Sequence, residues 1–443
     1  MSITGFLQAA TFHRALASFG ILAASTGLAL AQPTPAPKFD GANTAWILTA
    51  SALVLFMTLP ALALFYAGLV RAKNVLSVMM HCVVIACLAS VLWLIAGYSL
   101  AFDGGNGGLI GSFSKIFLNG VTKESLNGTI PEVVFFLFQM TFAIITPALM
   151  VGAYPERIRF PAVVLISGLW LMAVYVPVCH WVWGEGWLMK RSVMDFADGL
   201  VVHATAGTSS LVIAAMLGPR DGFPKELRPP HNPGMAMMGA GMLWVGWFGF
   251  NGGSALTADG AAGMAIVATH LSAATAGLVW MALEMIRFGR ASMIGAVTGV
   301  IAGLATVTPA SGFVGPIGGL ILGVAGSLVC FFAVDLVKHR LKIDDSLDVF
   351  AVHGVGGILG TLLVAFLAHP AIGGAGYAKD VTIGGQFVTQ ILGVSATVIW
   401  SAIATFAIVA VTRQFVGLRA DPEAVYDGLD MSAHGERGYS LNN

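Results

Sequence analysis

Residues 195–207 read DFADGLVVHATAG, and residues 345–357 read DSLDVFAVHGVGG. Both follow one pattern: Asp, two residues, Asp, four residues, His, three residues, Gly. Each copy opens a long apolar run, and ionisable residues inside such runs usually mark substrate or proton paths. Two copies in separate parts of one chain point to an internal repeat in which His203 and His353 are equivalent positions.

The rest of the chain is apolar enough to explain those runs. Of 443 residues, 57% are hydrophobic and 10% are charged, against roughly 25% charged in an average soluble domain. A water-soluble globule is excluded. The 22 basic and 22 acidic residues cancel, leaving no electrostatic reason to expect nucleic acid as a partner. Cys82, Cys87, Cys179 and Cys330 are too few for a disulfide scaffold and lack metal-ligand spacing, so they read as small apolar fillers. Nothing here predicts a metal, a cofactor or an enzyme.

Residues 1–31 are set apart from the fold. Arg14 precedes the run ALASFGILAASTGLALA, and Ala29-Leu30-Ala31 before Gln32 has the small-x-small form of a signal peptidase site. A cleaved signal peptide is expected, followed by a periplasmic segment over 32–43 and a membrane domain over 44–413. About 20 apolar residues span a bilayer as a helix, and eleven such segments are expected, the fifth over 198–218 and the sixth over 234–252. With the N-terminus outside, fifteen Lys and Arg fall on the cytoplasmic side against six outside, in agreement with the positive-inside rule. The expected setting is a bacterial inner membrane crossed many times, with residues 414–443 as a cytoplasmic tail.

One copy of the repeat then starts outside and the other inside. Segments one to five and six to ten read as an inverted-topology repeat, with the eleventh appended, and such repeats place their binding site near the midplane. His203 and His353 meet only there if they face one another, and their helices must start recessed below vestibules. Other His residues in the apolar runs, His81 and His270, read as ordinary packing or hydrogen-bonding groups. The surroundings of His203 and His353 are Val, Ala, Leu, Phe and Gly. A path lined this way disfavours a charged passenger.

The stretches FFLFQMTFAIITPALMVGAYPERIRF, HWVWGEG, DFADGLVVH, GWFGFNGGSA, DDSLDVFAVHGVGGILG and VGLRADPEAVYDGLDMSAHGE resemble the ammonium transporter family (Amt/Mep/Rh), most closely its bacterial Amt branch. The resemblance runs in register from about residue 40 to 440. It implies an all-α polytopic membrane protein, assembled as a homotrimer with one pore per protomer. By motif position it implies that Phe142, Trp183 and Ser254 recruit ammonium and that Asp195 supports that outer site. Phe142 and Phe250 would gate the pore, and His203 and His353 would form its twin-His pair. Glu185 and Asp198 stand where the best-studied relative has Gly. The tail match implies a cytoplasmic PII signalling protein as partner, docking on a platform to which the tail contributes from beneath neighbouring protomers.

The chemistry is consistent with those positions. Ammonium is close to potassium in size and charge, so discrimination calls for aromatic faces and hydrogen-bond acceptors. A cation over a Trp or Phe face gains about 0.5–2 kcal/mol. Trp181, Trp183 and Trp187 also read as an interfacial aromatic belt, and Asp195 also reads as a helix N-cap. A desolvated cation between Phe rings is costly, so ammonium is expected to lose a proton, ammonia to pass, and the His pair to relay or retain that proton. Methylammonium is a second candidate passenger. Alternatives are an ammonia or carbon dioxide channel of Rh type, an ammonium sensor on the same scaffold, and a haem or quinone oxidoreductase with His ligands. Haem sites of that kind usually pair His within one helix, whereas here each half supplies one. The Trp183 and Ser254 combination favours ammonium over carbon dioxide, and no long output segment follows Arg413, unlike fused sensors.

Overall fold

The computed structural model describes residues 38–105, 107–226 and 229–439, so the expected signal peptide lies outside the described residues. Among the described residues, ten helices are long and apolar enough to cross a membrane: α1 (Gly41–Leu69), α2 (Ala72–Phe102), α3 (Glu132–Ala153), α4 (Phe160–Trp183), α5 (Gly199–Leu217), α7 (Gly260–Phe288), α8 (Met293–Ala310), α9 (Pro316–Arg340), α10 (Phe350–Leu367) and α11 (Ile383–Val416). Between α5 and α7 lies α6 (Pro233–Gly253), helical over 21 residues. Its many glycines, with Asn251, dilute its hydropathy below that of the others, although it sits where the sixth span is expected.

Short polar side chains start several helices by accepting their loose N–H groups. Asp40 accepts from Asn43, Ser292 from Gly295 and Thr382 from Gly385. With no water to satisfy the backbone and no hydrophobic gain between helices in lipid, packing rests on close approach of small residues. Added Cβ atoms at Gly303 and Gly323 would each sit 2.5 Å from the Ser272 carbonyl oxygen, so α8 and α9 both press on α7.

Contacts at the helix ends orient the two copies of the repeat. The ends of α2 and α4 meet where His180 Nδ1 lies 3.0 Å from the Ala101 carbonyl oxygen, and α5 starts close by, tied to α4 through Trp183. The ends of α1 and α3 meet where the Tyr66 hydroxyl donates to the Leu149 carbonyl at 3.0 Å. There α10 starts, with the Leu347 N–H donating to the Gly152 carbonyl at 2.9 Å. The two His-bearing helices therefore set out from opposite ends, here named the Trp183 end and the Arg157 end.

At the Arg157 end a buried ion network joins three connecting segments. Arg157 is 0% exposed and donates to the carbonyls of Gly218, Ala153, Pro155 and Asp344 and to the Ser346 hydroxyl. Arg220 binds the Asp344 carboxylate at 2.9 Å, and Arg71 binds Glu156 at 2.9 Å. Burial pushes the Asp344 carboxyl up, but the Arg220 hydrogen bonds and the Arg157 charge outweigh it, leaving it below the ordinary value. Residues 417–439, beyond α11, pack here. The segment includes α12 (Pro422–Asp427) and α13 (Leu429–His434) and packs on its own chain. Asp430 accepts from the Ser77 N–H at 2.7 Å, and Asn74 accepts from Leu429 at 2.9 Å, so this segment caps the start of α2.

Candidate functional site

The second Asp of each repeat sets how its helix begins. Asp198 and Asp348 both take positive φ, 89° and 64°, and the turn that follows is π-helical in both, Gly199–Ala204 and Phe350–Gly354. The His203 N–H reaches back five residues to the Asp198 carbonyl at 3.1 Å. Such π turns recur at functional sites because they re-aim the side chains they carry. The first Asp of each copy satisfies the exposed donors. Asp195 accepts from the N–H groups of Gly199, Leu200 and Val201 at 2.6, 2.8 and 3.4 Å, and Asp345 accepts from Phe350 at 2.7 Å.

The Gly that ends the pattern serves close approach. A Cβ on Gly207 would fall 2.2 Å from Gly354 Cα, and one on Gly357 would fall 2.6 Å from His203 Cβ. Because α5 and α10 cross this tightly, His203 Nδ1 lies 3.3 Å from His353 Nδ1, with the rings 5.2 Å apart and inclined by 23°. One nitrogen must donate and the other accept. Both residues are buried, and the adjoining cavity of about 10 Å³ is otherwise lined by nine apolar residues, including Phe65, Trp247 and Phe250. That volume suits about one water-sized sphere.

Towards the Trp183 end, three aromatic rings close the path. Phe142 and Phe250 meet edge to face with centroids 4.6 Å apart, and Phe142 lies 6.1 Å from Trp183 at 86°. Phe250 continues inward onto His203, 6.0 Å away and inclined by 15°. The Trp183 indole donates to the Asp195 carbonyl at 2.9 Å. The Asp195 carboxylate is turned away into its three N–H donors, so from ahead of the N-cap residue Asp198 it satisfies the first N–H groups of α5. Burial pushes its carboxyl up to about 6, opposed by those donors. Ser254 joins the group through Phe250 alone, its hydroxyl donating to that carbonyl at 2.8 Å. Trp181 and Trp187 pack on each other at 6.0 Å, and Trp181 donates to the Leu109 carbonyl at 2.7 Å.

Towards the Arg157 end the path meets a cavity of about 340 Å³ that shares Phe65 with the His cavity and is lined by Asp348, Lys338 and Arg220. Lys338 binds the Asp348 carboxylate at 2.7 Å. The other two histidines considered from sequence lie apart from the pair: His81 stacks on Phe160 at 6.0 Å, and His270 is exposed beside Trp244.

Two contributors escaped the sequence reading. Trp247 lies 5.6 Å from His203 and is held by an indole hydrogen bond of 2.8 Å to Thr308. Gln390 of α11 clamps Met194, accepting from its N–H at 2.8 Å and donating to its carbonyl at 2.7 Å, immediately before Asp195. Gln386 braces that clamp, donating to Gln390 at 3.0 Å and to the Ser192 carbonyl at 3.0 Å. Polar residues one turn apart in an apolar segment were the available signal.

The profile described as the Ammonium Transporter Family matches residues 45–439. The chain belongs to the ammonium transporter family. Among its relatives, the ammonium transporter of Mycobacterium bovis is 42% identical, with 91% of each chain covered. The ammonium transporter of Bacillus subtilis is 42% identical over 88% of this chain and 96% of its own. Of solved structures, Mep2 of Candida albicans superposes with a TM-score of 0.81 at 36% identity, covering 87% of this chain and 88% of that one. A structure named Sensor Amt Protein gives 0.84 at 30%, covering 89% and 98%. Family membership accounts for the multi-pass apolar helices and sets the chain among transporters.

Proposed function

We propose that this protein takes up ammonium across a bacterial inner membrane, with the Trp183 end periplasmic and the Arg157 end and tail cytoplasmic. In this reading α6 completes eleven membrane helices, built as an inverted five-plus-five repeat with α11 appended, and three protomers assemble with one pore each. Ammonium is recruited at Trp183, Phe142 and Ser254, with Asp195 fixing the indole through its carbonyl. It gives up a proton at the Phe142–Phe250 gate, and ammonia passes His203 and His353 while that pair relays or retains the proton. The tail, docked at the start of α2, would form part of the platform for a PII protein.

The observation that carries the reading is the imidazole pair in a near-dry passage directly beneath the aromatic rings. A cavity of about 10 Å³ with no carboxylate or carbonyl ring leaves a cation without a substitute for its hydration shell, whereas neutral ammonia needs none. The testing experiment is an ammonium concentration jump on protein reconstituted on a solid-supported membrane. A transient current that saturates with ammonium and is absent with potassium is expected, and its absence together with absent ammonia flux in liposomes would overturn the reading. The likeness to the Sensor Amt Protein favours a second reading, in which the same site reports ammonium; ammonium binding without flux would select it.

A further inference from the structure

The two copies of the repeat differ most at their second Asp. Asp348 has Lys338 at 2.7 Å. Asp198 is 0% exposed, and neither of its carboxyl oxygens has a hydrogen-bond partner among the described residues. It also holds a φ of 89°, a left-handed conformation that Gly takes without strain and other residues take at a cost. The position therefore carries a backbone penalty and a desolvation penalty that Gly would avoid.

Among the described residues, the groups around Asp198 supply no counter-charge. Its own stretch presents Asp195, and α4 presents Tyr175 and Cys179, both near enough to interact with it electrostatically. The Tyr175 hydroxyl is buried and engaged with the Cys179 thiol. α10 presents no charged residue between Val355 and Leu367, and α11 presents none before Arg413. The end of α8 contributes Pro309, whose carbonyl accepts from the Phe196 N–H at 3.0 Å and whose ring faces Gly199. Asp195, one turn away, has three N–H donors that favour its ionised form. Two neighbouring carboxyls in such unequal surroundings are driven to opposite states, one ionised and one acid.

We infer that Asp198 is a proton-binding site beside the outer half of the pore, whose occupancy sets the negative charge presented to the ammonium site. The inference rests on the transport reading above. The proton comes from the periplasmic side and returns to it; only the carboxyl O–H bond forms and breaks. As the outer pH rises and Asp198 releases its proton, a second negative charge appears near Trp183 and Asp195 and ammonium binds more tightly. Uptake is thereby held up as the ammonium fraction falls.

Two measurements on the intact protein in lipid test this. Infrared difference spectra across a pH step should show a buried carboxylic acid band in wild type that is missing from Asp198→Asn and Asp198→Gly. A band unchanged in both variants, or no such band in wild type, would overturn the proton site. This readout needs no transport, so it stands or falls separately from the proposed function. In ammonium-jump recordings, the half-saturating ammonium concentration of wild type should fall with rising outer pH through one ionisation step that both variants lack. Identical pH dependence in all three proteins would overturn the role assigned to that proton. Asp198→Gly guards against misfolding, because Gly adopts the required φ freely.

Discussion

The stretches 195–207 and 345–357 build the same local object and place it in different settings. Each begins with a capping Asp, turns through an Asp of positive φ, winds a π turn and presents a His to its twin. The copy at 195–207, outer in the proposed orientation, sits under three aromatic rings, and its second Asp has no hydrogen-bond partner among the described residues; the copy at 345–357, inner in that orientation, opens on a charged cavity with its second Asp bound to Lys338. Shared features bring the imidazoles together, and unshared ones give the pore two unlike mouths.

The hardest blow to that comparison falls on what the copies share. His203→Ala and His353→Ala should each reduce ammonium-evoked current by more than about tenfold, a loss of about 1.4 kcal/mol or more, in matched amounts of folded protein. Wild-type current and selectivity in both would show that the pair only joins helices. His203→Asp, which retains a titratable group, is expected to keep part of the current.

Next in size is the crossing. Gly357→Ala sets a Cβ against His203 Cβ, and overpacking of this kind costs about 1–3 kcal/mol. Thermal unfolding in detergent should show the lowered stability, and Gly207→Ala should behave alike because it meets Gly354. A variant as stable as wild type would mean that the helices part easily.

The outer copy alone is addressed by Trp183→Leu. Removing the indole forfeits a cation–π gain of about 0.5–2 kcal/mol, so half-saturation by ammonium should rise while maximal current changes little. Unchanged discrimination among ammonium, methylammonium and potassium would remove Trp183 from the site. The inner copy alone is addressed by Lys338→Met, and here the effect is smallest. The two side chains are only 13% and 19% exposed, so Lys338→Met leaves a largely buried carboxylate that sheds its charge by taking up a proton; the current should change no more than about fivefold, about 1 kcal/mol, and Asp348→Asn added to it should restore wild-type behaviour. A larger, unrescued loss would give the inner mouth a weight equal to the outer one.

The sequence reading reached the imidazole pair because a His is costly to bury in an apolar run, and here one pattern does so twice. It reached the aromatic rings only through resemblance, since Trp183 and Phe142 are 41 positions apart and no local rule joins them. The π turns were invisible, for a hydrogen bond reaching five residues back leaves no mark in composition. Arg157 was counted as one more charge near the membrane, whereas it is buried and binds five acceptors. Gln390 went unread because its partner is the backbone of Met194, and backbone partners have no letter. Asp198 was seen as a departure from the best-studied relative, yet its isolation depends on what α4, α10 and α11 fail to offer, which no single stretch records.

The Gly207–Gly354 crossing bears on time as well as shape. Many membrane carriers built from paired halves work by rocking one half against the other, on microsecond to millisecond scales. Here a missing Cβ on each side lets the two His-bearing helices touch directly, and tilting one would open a gap at the point that aligns the imidazoles. In the proposed function, opening then falls to the rings of Phe142 and Phe250, whose rotations need no movement of the helices. On that reading the passage is a rigid conduit with hinged side chains, and its throughput should follow the frequency of ring motion, insensitive to cross-links that freeze the helices in place.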